Sequence, residues 1–167
     1  MPLDHQWIEQ HIPHKGRMCL LDAVLSWDAT RIRCRSTTHR TPDNPLRAHG
    51  RLGAACGIEY AAQAMAVHGA LVASSAPLAG TMTRGVHGSG AAVGYLASLR
   101  NVQLHVARLD DLDGELIAAA ERVTGDARTV LYEFSVWSGA RAVLEGRASI
   151  VMDASFGAAL AQGGTAP

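Results

Sequence analysis

Apolar and polar positions follow two different periods along this chain, and the change between them marks out its elements. Residues 4–11 (DHQWIEQH) read as a short helix with Asp4 as its N-cap. It closes before Ile12-Pro13, because the residue ahead of a proline avoids the helical region. In the stretch that follows, IPHKGRMCLLDAVLSW, the apolar run 18–21 and then Ala23, Val24 and Leu25 predict a buried extended segment feeding a first strand. Residues 29–38 alternate Arg31, Arg33 and Arg35 with Ile32, Cys34 and Ser36, the period of a strand with one wet face, and Asp28 falls at the turn between the two strands. Residues 39–52 (HRTPDNPLRAHGRL) carry Pro42, Asp43, Asn44, Pro45 and Gly50 and read as a loop.

From about residue 53 or 54 to about 73 the pattern is apolar on nearly every side of a helix, with many alanines that let other backbone come close. A loop rich in glycine, serine and proline covers 74–90. Strand grammar then returns. Residues 91–107 place Leu99, Val102, Leu104 and Val106 on the apolar side, with a break between 99 and 102 that predicts a bulge. Three further strands, 115–124, 129–137 and 142–152, are separated by the turns DDLDG (110–114), Gly125-Asp126 and Ser138-Gly139, which makes an antiparallel meander. The expected fold class is therefore α+β: a curved antiparallel sheet wrapped around one long hydrophobic helix. Residues 1–153 form one domain in this reading, and 154–167 a frayed tail.

Composition narrows the function classes. Fifteen basic residues balance fifteen acidic ones, so no overall field draws the chain to nucleic acid. Cys19, Cys34 and Cys56 are odd in number and never paired as C-x-x-C, which predicts neither a disulfide framework nor a zinc site. His11 and His14 alone are too sparse for zinc. The N-terminus lacks a signal-like apolar run, and the long helix is interrupted by Glu59, Gln63 and His68, so a cytoplasmic location without a membrane span is expected.

Glu59 is the anomaly in that helix. A glutamate is almost never buried without a partner, and here desolvation and the helix N-terminus push its protonation in opposite directions. Gln63, one turn on, shares its face and either orients or satisfies the carboxylate. Glycine-rich GVHGSGAAVG, with His87, leads into a strand and does not suit a dinucleotide.

IPHKGRMCLLDAV (12–24) resembles the opening motif of the FabZ-type 3-hydroxyacyl-ACP dehydratases, L-P-H-R-x-P-F-L-L-x-D-x-V, and GIEYAAQAMAVHGAL (57–71) matches their E-x-x-A-Q helix. With GYLASLRNVQLH (94–105), the chain is similar to the dehydratase-like ApeP type of bacterial aryl polyene pathways. The resemblance implies a hot-dog fold and an active site in a tunnel at a dimer interface. It also implies removal of water from a 3-hydroxyacyl thioester carried on acyl-carrier protein, with a homodimer or a heterodimer with a second hot-dog dehydratase as the assembly. No cofactor is needed for that reaction, which asks for a base, an acid and donors to an enolate-like oxygen.

Glu59 matches the family's catalytic carboxylate. Its base is a histidine in a G-H-F-P motif, absent here; His49 occupies the corresponding loop, ahead of Gly50 and 59 − 49 = 10 residues before Glu59. His14 matches the P-H-R histidine, whose expected role is structural. Gly53 and Gly57 at the helix start are candidates for presenting backbone N–H groups to a thioester oxygen. Arg47, Arg51, Arg84 and Arg100 are candidates for contacting a phosphopantetheine phosphate or an acidic carrier. A non-catalytic subunit that stabilises a catalytic paralogue, and an acyl thioesterase, are the alternative functions.

Overall fold

The computed structural model describes residues 3–75 and 93–153. Its elements are helix α1 (His5–His11), strands β1 (Ala23–Trp27) and β2 (Arg31–Ser36), helix α2 (Gly57–Ser75), and strands β3 (Val93–Leu104), β4 (Leu116–Gly125), β5 (Thr129–Ser138) and β6 (Arg141–Asp153). The strands form one antiparallel sheet in the order β1-β2-β4-β5-β6-β3. The expected tail (154–167), and with it His87, Arg84 and most of the 74–90 loop, lies outside the described residues.

Local chemistry accounts for most boundaries. The Asp4 carboxylate accepts from the Trp7 N–H at 3.0 Å and starts α1 as expected. Asp28 Oδ1 accepts from the Thr30 N–H, the Thr30 hydroxyl and the Arg31 N–H, which folds the β1–β2 turn. Asp126 repeats the device between β4 and β5 with the N–H groups of Arg128 and Thr129. The bulge expected in β3 is present: the register with β6 shifts between Arg100 and Gln103, and Asn101 takes φ 52°.

The buried segment expected to feed the first strand is present: after a 3-10 turn at Gly16–Met18, Cys19, Leu20 and Leu21 are buried and β1 begins at Ala23. Two sequence expectations are corrected. The long helix opens with a 3-10 turn, Ala54–Cys56, before α2 proper starts at Gly57. Leu99 and Leu104 do not join the core; they are 37% and 48% exposed. The reason is topological. Among the described residues β3 is an edge strand, so its side chains have cross-strand neighbours on one side only, and alternation in sequence cannot tell an edge from a centre.

The core lies between α2 and the middle of the sheet. Tyr60, Ala61, Ala64, Met65, Val67 and Leu71 of α2 pack with Ile32, Cys34, Leu116, Ala118, Ala120, Tyr132, Phe134, Val136, Leu144 and Ala148, all buried. The opposite face of β2, β4, β5 and β6 is polar and laced by the ion pairs Arg31–Glu121, Arg35–Glu115 and Arg147–Glu133. Gly57 is demanded by this packing, since a Cβ there would lie 2.5 Å from Leu144 Cδ2. Among the described residues no helix is long and apolar enough to cross a membrane.

Candidate active site

The site is assembled from two distant segments. Residues 14–20 cross the N-terminal half of α2, and the fully buried Gln63 holds them there. Its Oε1 accepts from the Leu20 N–H at 2.8 Å, while its Nε2 donates to the Met18 carbonyl at 2.7 Å. The orientation of the amide is fixed by these partners, because a backbone N–H can only donate and a carbonyl can only accept. One turn earlier on α2, Gln63 Nε2 also reaches Glu59 Oε1 at 3.0 Å.

The same oxygen of Glu59 takes a second contact. His14 Nε2 lies 2.9 Å from Glu59 Oε1, with the two side chains 27% and 31% exposed. His14 Nδ1 is buried and makes no hydrogen bond. Burial alone would push the Glu59 carboxyl up, but the hydrogen bonds from His14 and Gln63 outweigh it and hold the group below its ordinary value. Glu59 is therefore a carboxylate at neutral pH. The opposing effects left open by the sequence resolve toward the anion, through partners that the helix N-terminus does not supply.

His49 lies elsewhere. It occupies a tight turn closed by two reciprocal backbone bonds, Ala48 N–H to the Arg51 carbonyl at 2.9 Å and Arg51 N–H to the Ala48 carbonyl at 3.1 Å. His49 and Gly50 both take positive φ, 52° and 73°, the signature of a type I′ turn. The imidazole is exposed and makes no hydrogen bond or ion pair with Glu59 among the described residues. Within one chain the histidine brought to Glu59 is His14, for which the sequence predicted a structural role. A proline-histidine pair just ahead of a buried run that needs side-chain partners was the signal.

The helix start has few donors to spare. The N–H groups of Ala54 and Cys56 donate to the carbonyls of Ala107 and Gly53, and that of Gly57 to the preceding turn. Gly57 serves packing against Leu144, whereas a Cβ at Gly53 would meet open space. Arg47 is committed inside the chain: Nη1 contacts Asp110 Oδ2 at 3.0 Å and Nε donates to the Thr41 carbonyl at 2.9 Å. Arg108 grips the same carboxylate through Nε and Nη2 at 2.8 and 2.6 Å, which holds Asp110 far below the usual carboxylate range. Arg51 and Arg100 are exposed, and no ion pair involves either among the described residues.

Two further histidines are engaged within the fold. His68 is fully buried on α2, between the Tyr132 hydroxyl at 2.8 Å and the Asp28 carbonyl at 2.9 Å. His11 stacks on Trp7 with ring centroids 3.8 Å apart. Cys19, Cys34 and Cys56 are free thiols, and burial pushes Cys34 up to about 12. Among the described residues no cluster of three or more His, Cys, Asp or Glu could hold a metal. A groove of about 670 Å³ crosses the polar sheet face past Arg33, Ala119 and Ser135 and does not include Glu59.

Comparison with solved structures establishes the fold. The chain superposes on the dehydratase heterocomplex ApeI:P from Xenorhabdus doucetiae with a TM-score of 0.73, over 98% of both chains at 18% identity. It also resembles a thioesterase family protein from Silicibacter pomeroyi (TM-score 0.58, 12% identity, 87% of this chain and 95% of that one). The E. coli PaaI protein of the phenylacetic acid degradation operon is a further match (TM-score 0.52, 13% identity, 77% and 80% covered). These likenesses identify the six-stranded sheet and its single long helix as a hot-dog fold. No curated protein matches the chain. The family model for the ApeP dehydratases, however, matches residues 6–161, the whole of the sheet, α2 and all of α1 but its first residue, and the chain belongs to this ApeP-like dehydratase family.

Proposed function

We propose that this chain is a subunit of a 3-hydroxyacyl-[acyl-carrier-protein] dehydratase and that Glu59 carries its proton transfers. The observation that carries the reading is the contact of His14 Nε2 with Glu59 Oε1 at 2.9 Å, beside Gln63, on a partly exposed carboxylate. Ionised Glu59 removes the proton from the carbon beside the thioester carbonyl. The electron pair of that C–H bond forms the C2–C3 double bond as the C3–O bond breaks, and the proton goes from Glu59 to the departing hydroxyl, leaving as water. The carboxylate is regenerated and no cofactor is consumed. His14, donating to Oε1, stabilises the anion before and after the transfer.

The edge of the sheet supports an assembly. Among the described residues β3 pairs only with β6, and it leaves Leu96, Leu99 and Leu104 exposed at 41%, 37% and 48%. An apolar edge of this kind suits a second hot-dog chain, in keeping with the heterocomplex named for the ApeI:P relative. Exposed Arg51 and Arg100 suit the phosphopantetheine arm or an acidic carrier protein, and reaction on carrier-bound acyl chains suits a cytoplasmic location.

Incubation of the protein, alone and with a hot-dog partner, with a series of 3-hydroxyacyl-ACPs tests this. Mass loss of one water is expected, and Glu59→Gln should slow it about 10²–10⁴-fold. Absence of enoyl product across chain lengths, in both preparations, would overturn it. A second reading, a subunit that only stabilises a catalytic partner, is favoured by the exposed position of His49 and the missing G-H-F-P motif. It predicts that Glu59→Ala and His49→Ala leave the assembled complex fully active. A thioesterase would release free acid instead.

A further inference from the structure

His14 meets Glu59 through one ring nitrogen only. Nε2 lies 2.9 Å from the carboxylate oxygen, while Nδ1 is buried and has no hydrogen-bond partner among the described residues. An imidazole in an active site is ordinarily oriented by a bond at its second nitrogen. Here no polar group among the described residues holds the ring from behind, so its aim comes from where the backbone of residue 14 is placed.

That backbone is fastened by a two-way clasp. Glu9, in the last turn of α1, accepts from the Gly16 N–H through Oε1 at 2.6 Å. Lys15 reaches in the other direction: its Nζ donates to the Glu9 carbonyl and, at 2.9 Å, to the Ile12 carbonyl. Both carbonyls lie at the C-terminal end of α1, where the helix leaves them open and a cation suits them. Gly16 takes φ 56°, a left-handed conformation that turns the chain at the point where Glu9 holds it. Between buried Ile12 and Met18, the other side-chain bonds among the described residues are the His14–Glu59 contact and a long one from Arg17 Nη1 to the Asp43 carbonyl at 3.4 Å. The clasp is therefore the tether nearest to His14.

We propose that Glu9 and Lys15 are positioning residues for His14: the clasp they form with the end of α1 and with Gly16 fixes the imidazole against Glu59 Oε1. Burial pushes the Glu59 carboxyl up, and the bond from His14 is foremost among those that hold it down, so a loosened clasp should let the carboxyl rise. The effect on turnover rests on the dehydratase reading; the effect on the Glu59 titration does not.

Glu9→Ala cuts the clasp at Gly16. Its lost negative charge, acting alone through space, would lower the Glu59 midpoint, whereas lost positioning of His14 should raise it. Carboxyl carbon-13 resonances read the midpoint. The acidic limb of the kcat/KM–pH profile should move up with it, because Glu59 works as the ionised base. At the plateau kcat should fall about two- to tenfold, the range for one hydrogen bond lost. Glu9→Gln keeps a carbonyl acceptor for the Gly16 N–H and should return midpoint and turnover toward the wild-type values. In a His14→Ala background, which has no imidazole left to place, Glu9→Ala should raise the midpoint no further.

A midpoint that stays or falls in Glu9→Ala, an equal rise in Glu9→Gln, or a further rise on top of His14→Ala would overturn the proposal. If Glu9→Ala does not fold, Lys15→Met is compared in the wild-type and His14→Ala backgrounds. Its lost charge acts in both and lost positioning in the first only, so a larger rise in the first is expected and equal shifts would overturn the proposal. Inactive wild-type protein would sink the dehydratase reading, and the midpoints would still judge the clasp.

Discussion

Acid should destabilise this fold well before its carboxylates titrate, and His68 is the residue through which this can be tested. The Asp28 carbonyl can only accept, so Nε2 of His68 carries the proton; Nδ1 then accepts from the Tyr132 hydroxyl. With the ring neutral, both ring nitrogens and the Tyr132 O–H are paired. A second proton on Nδ1 would turn the Tyr132 oxygen into the acceptor, leave its O–H without this partner and bury a charge in a side chain with no exposed surface. Burial accordingly pushes the His68 pKa down, reinforced slightly by Arg122 and opposed by the Asp28 carbonyl and carboxylate. His39, also fully buried, is lowered chiefly by burial too, with Nε2 donating to the Leu112 carbonyl at 3.1 Å and Nδ1 unpartnered.

The sign is then fixed. Both groups bind protons more weakly in the folded chain than in the unfolded one. Their stabilisation is complete above the unfolded imidazole value of about 6.5 and is lost as pH falls below it. Each histidine that is neutral when folded and charged when unfolded contributes a slope of up to about 1.4 kcal/mol per pH unit. Between about pH 6.5 and 5 the wild type should therefore lose stability at up to twice that slope, before Asp28, Asp126 and Asp110, all held low by hydrogen bonds, take part.

His68→Leu should remove one of the two increments. At pH 7.5 the variant should be about 1–3 kcal/mol less stable, because the Tyr132 hydroxyl, 4% exposed, loses its partner while water can reach the carbonyl of exposed Asp28. Urea unfolding of both proteins at a fixed protein concentration, at four pH values from 7.5 to 5, measures this directly. Identical slopes for the variant and the wild type would refute the reasoning, whatever the variant's stability at pH 7.5.

Gly57→Ala should destabilise by about 1–2 kcal/mol despite the better helix propensity of alanine, since overpacking a buried leucine costs more than the propensity returns; thermal unfolding of the variant checks it. Phe134→Ala should cost about 3–5 kcal/mol, read by the same melts, because its ring fills the space beside Gly146 in the centre of the core. Leu96→Lys with Leu99→Lys should leave the circular dichroism spectrum unchanged and raise the dissociation constant for a hot-dog partner by at least about a hundredfold, measured by sedimentation; an unchanged assembly would exclude the β3 edge as the contact.

Period and turn chemistry made most of the fold legible before any coordinates. The Asp4 cap, the Asp28 and Asp126 turns, the β3 bulge and the meander β4–β5–β6 were all readable from local sequence. What was not local was not readable. An apolar run such as 18–21 looks the same whether a strand or a set of side chains pairs its backbone. Leu99 and Leu104 look like core until the strand order places β3 at the edge.

The site repeats that division. Glu59 and Gln63 stood out because one helix turn brings them together, and the structure places them in contact at 3.0 Å. His14 did not, because its meeting with Glu59 depends on how the 14–20 segment crosses α2, which no periodicity encodes. The competing candidate, His49, occupies the loop where the resemblance places the base, yet its turn closes on itself through the Ala48–Arg51 pair and leaves its imidazole exposed. If Glu59 needs only His14 and Gln63, His49→Ala should leave turnover unchanged while His14→Ala lowers it. If a second chain instead completes the site by receiving His49, mixing His49→Ala protein with Glu59→Gln protein should restore part of the activity that each lacks alone, because some mixed dimers then hold one intact pair. Turnover of the His49→Ala protein equal to the wild type would exclude that arrangement and leave His14 as the histidine of the site.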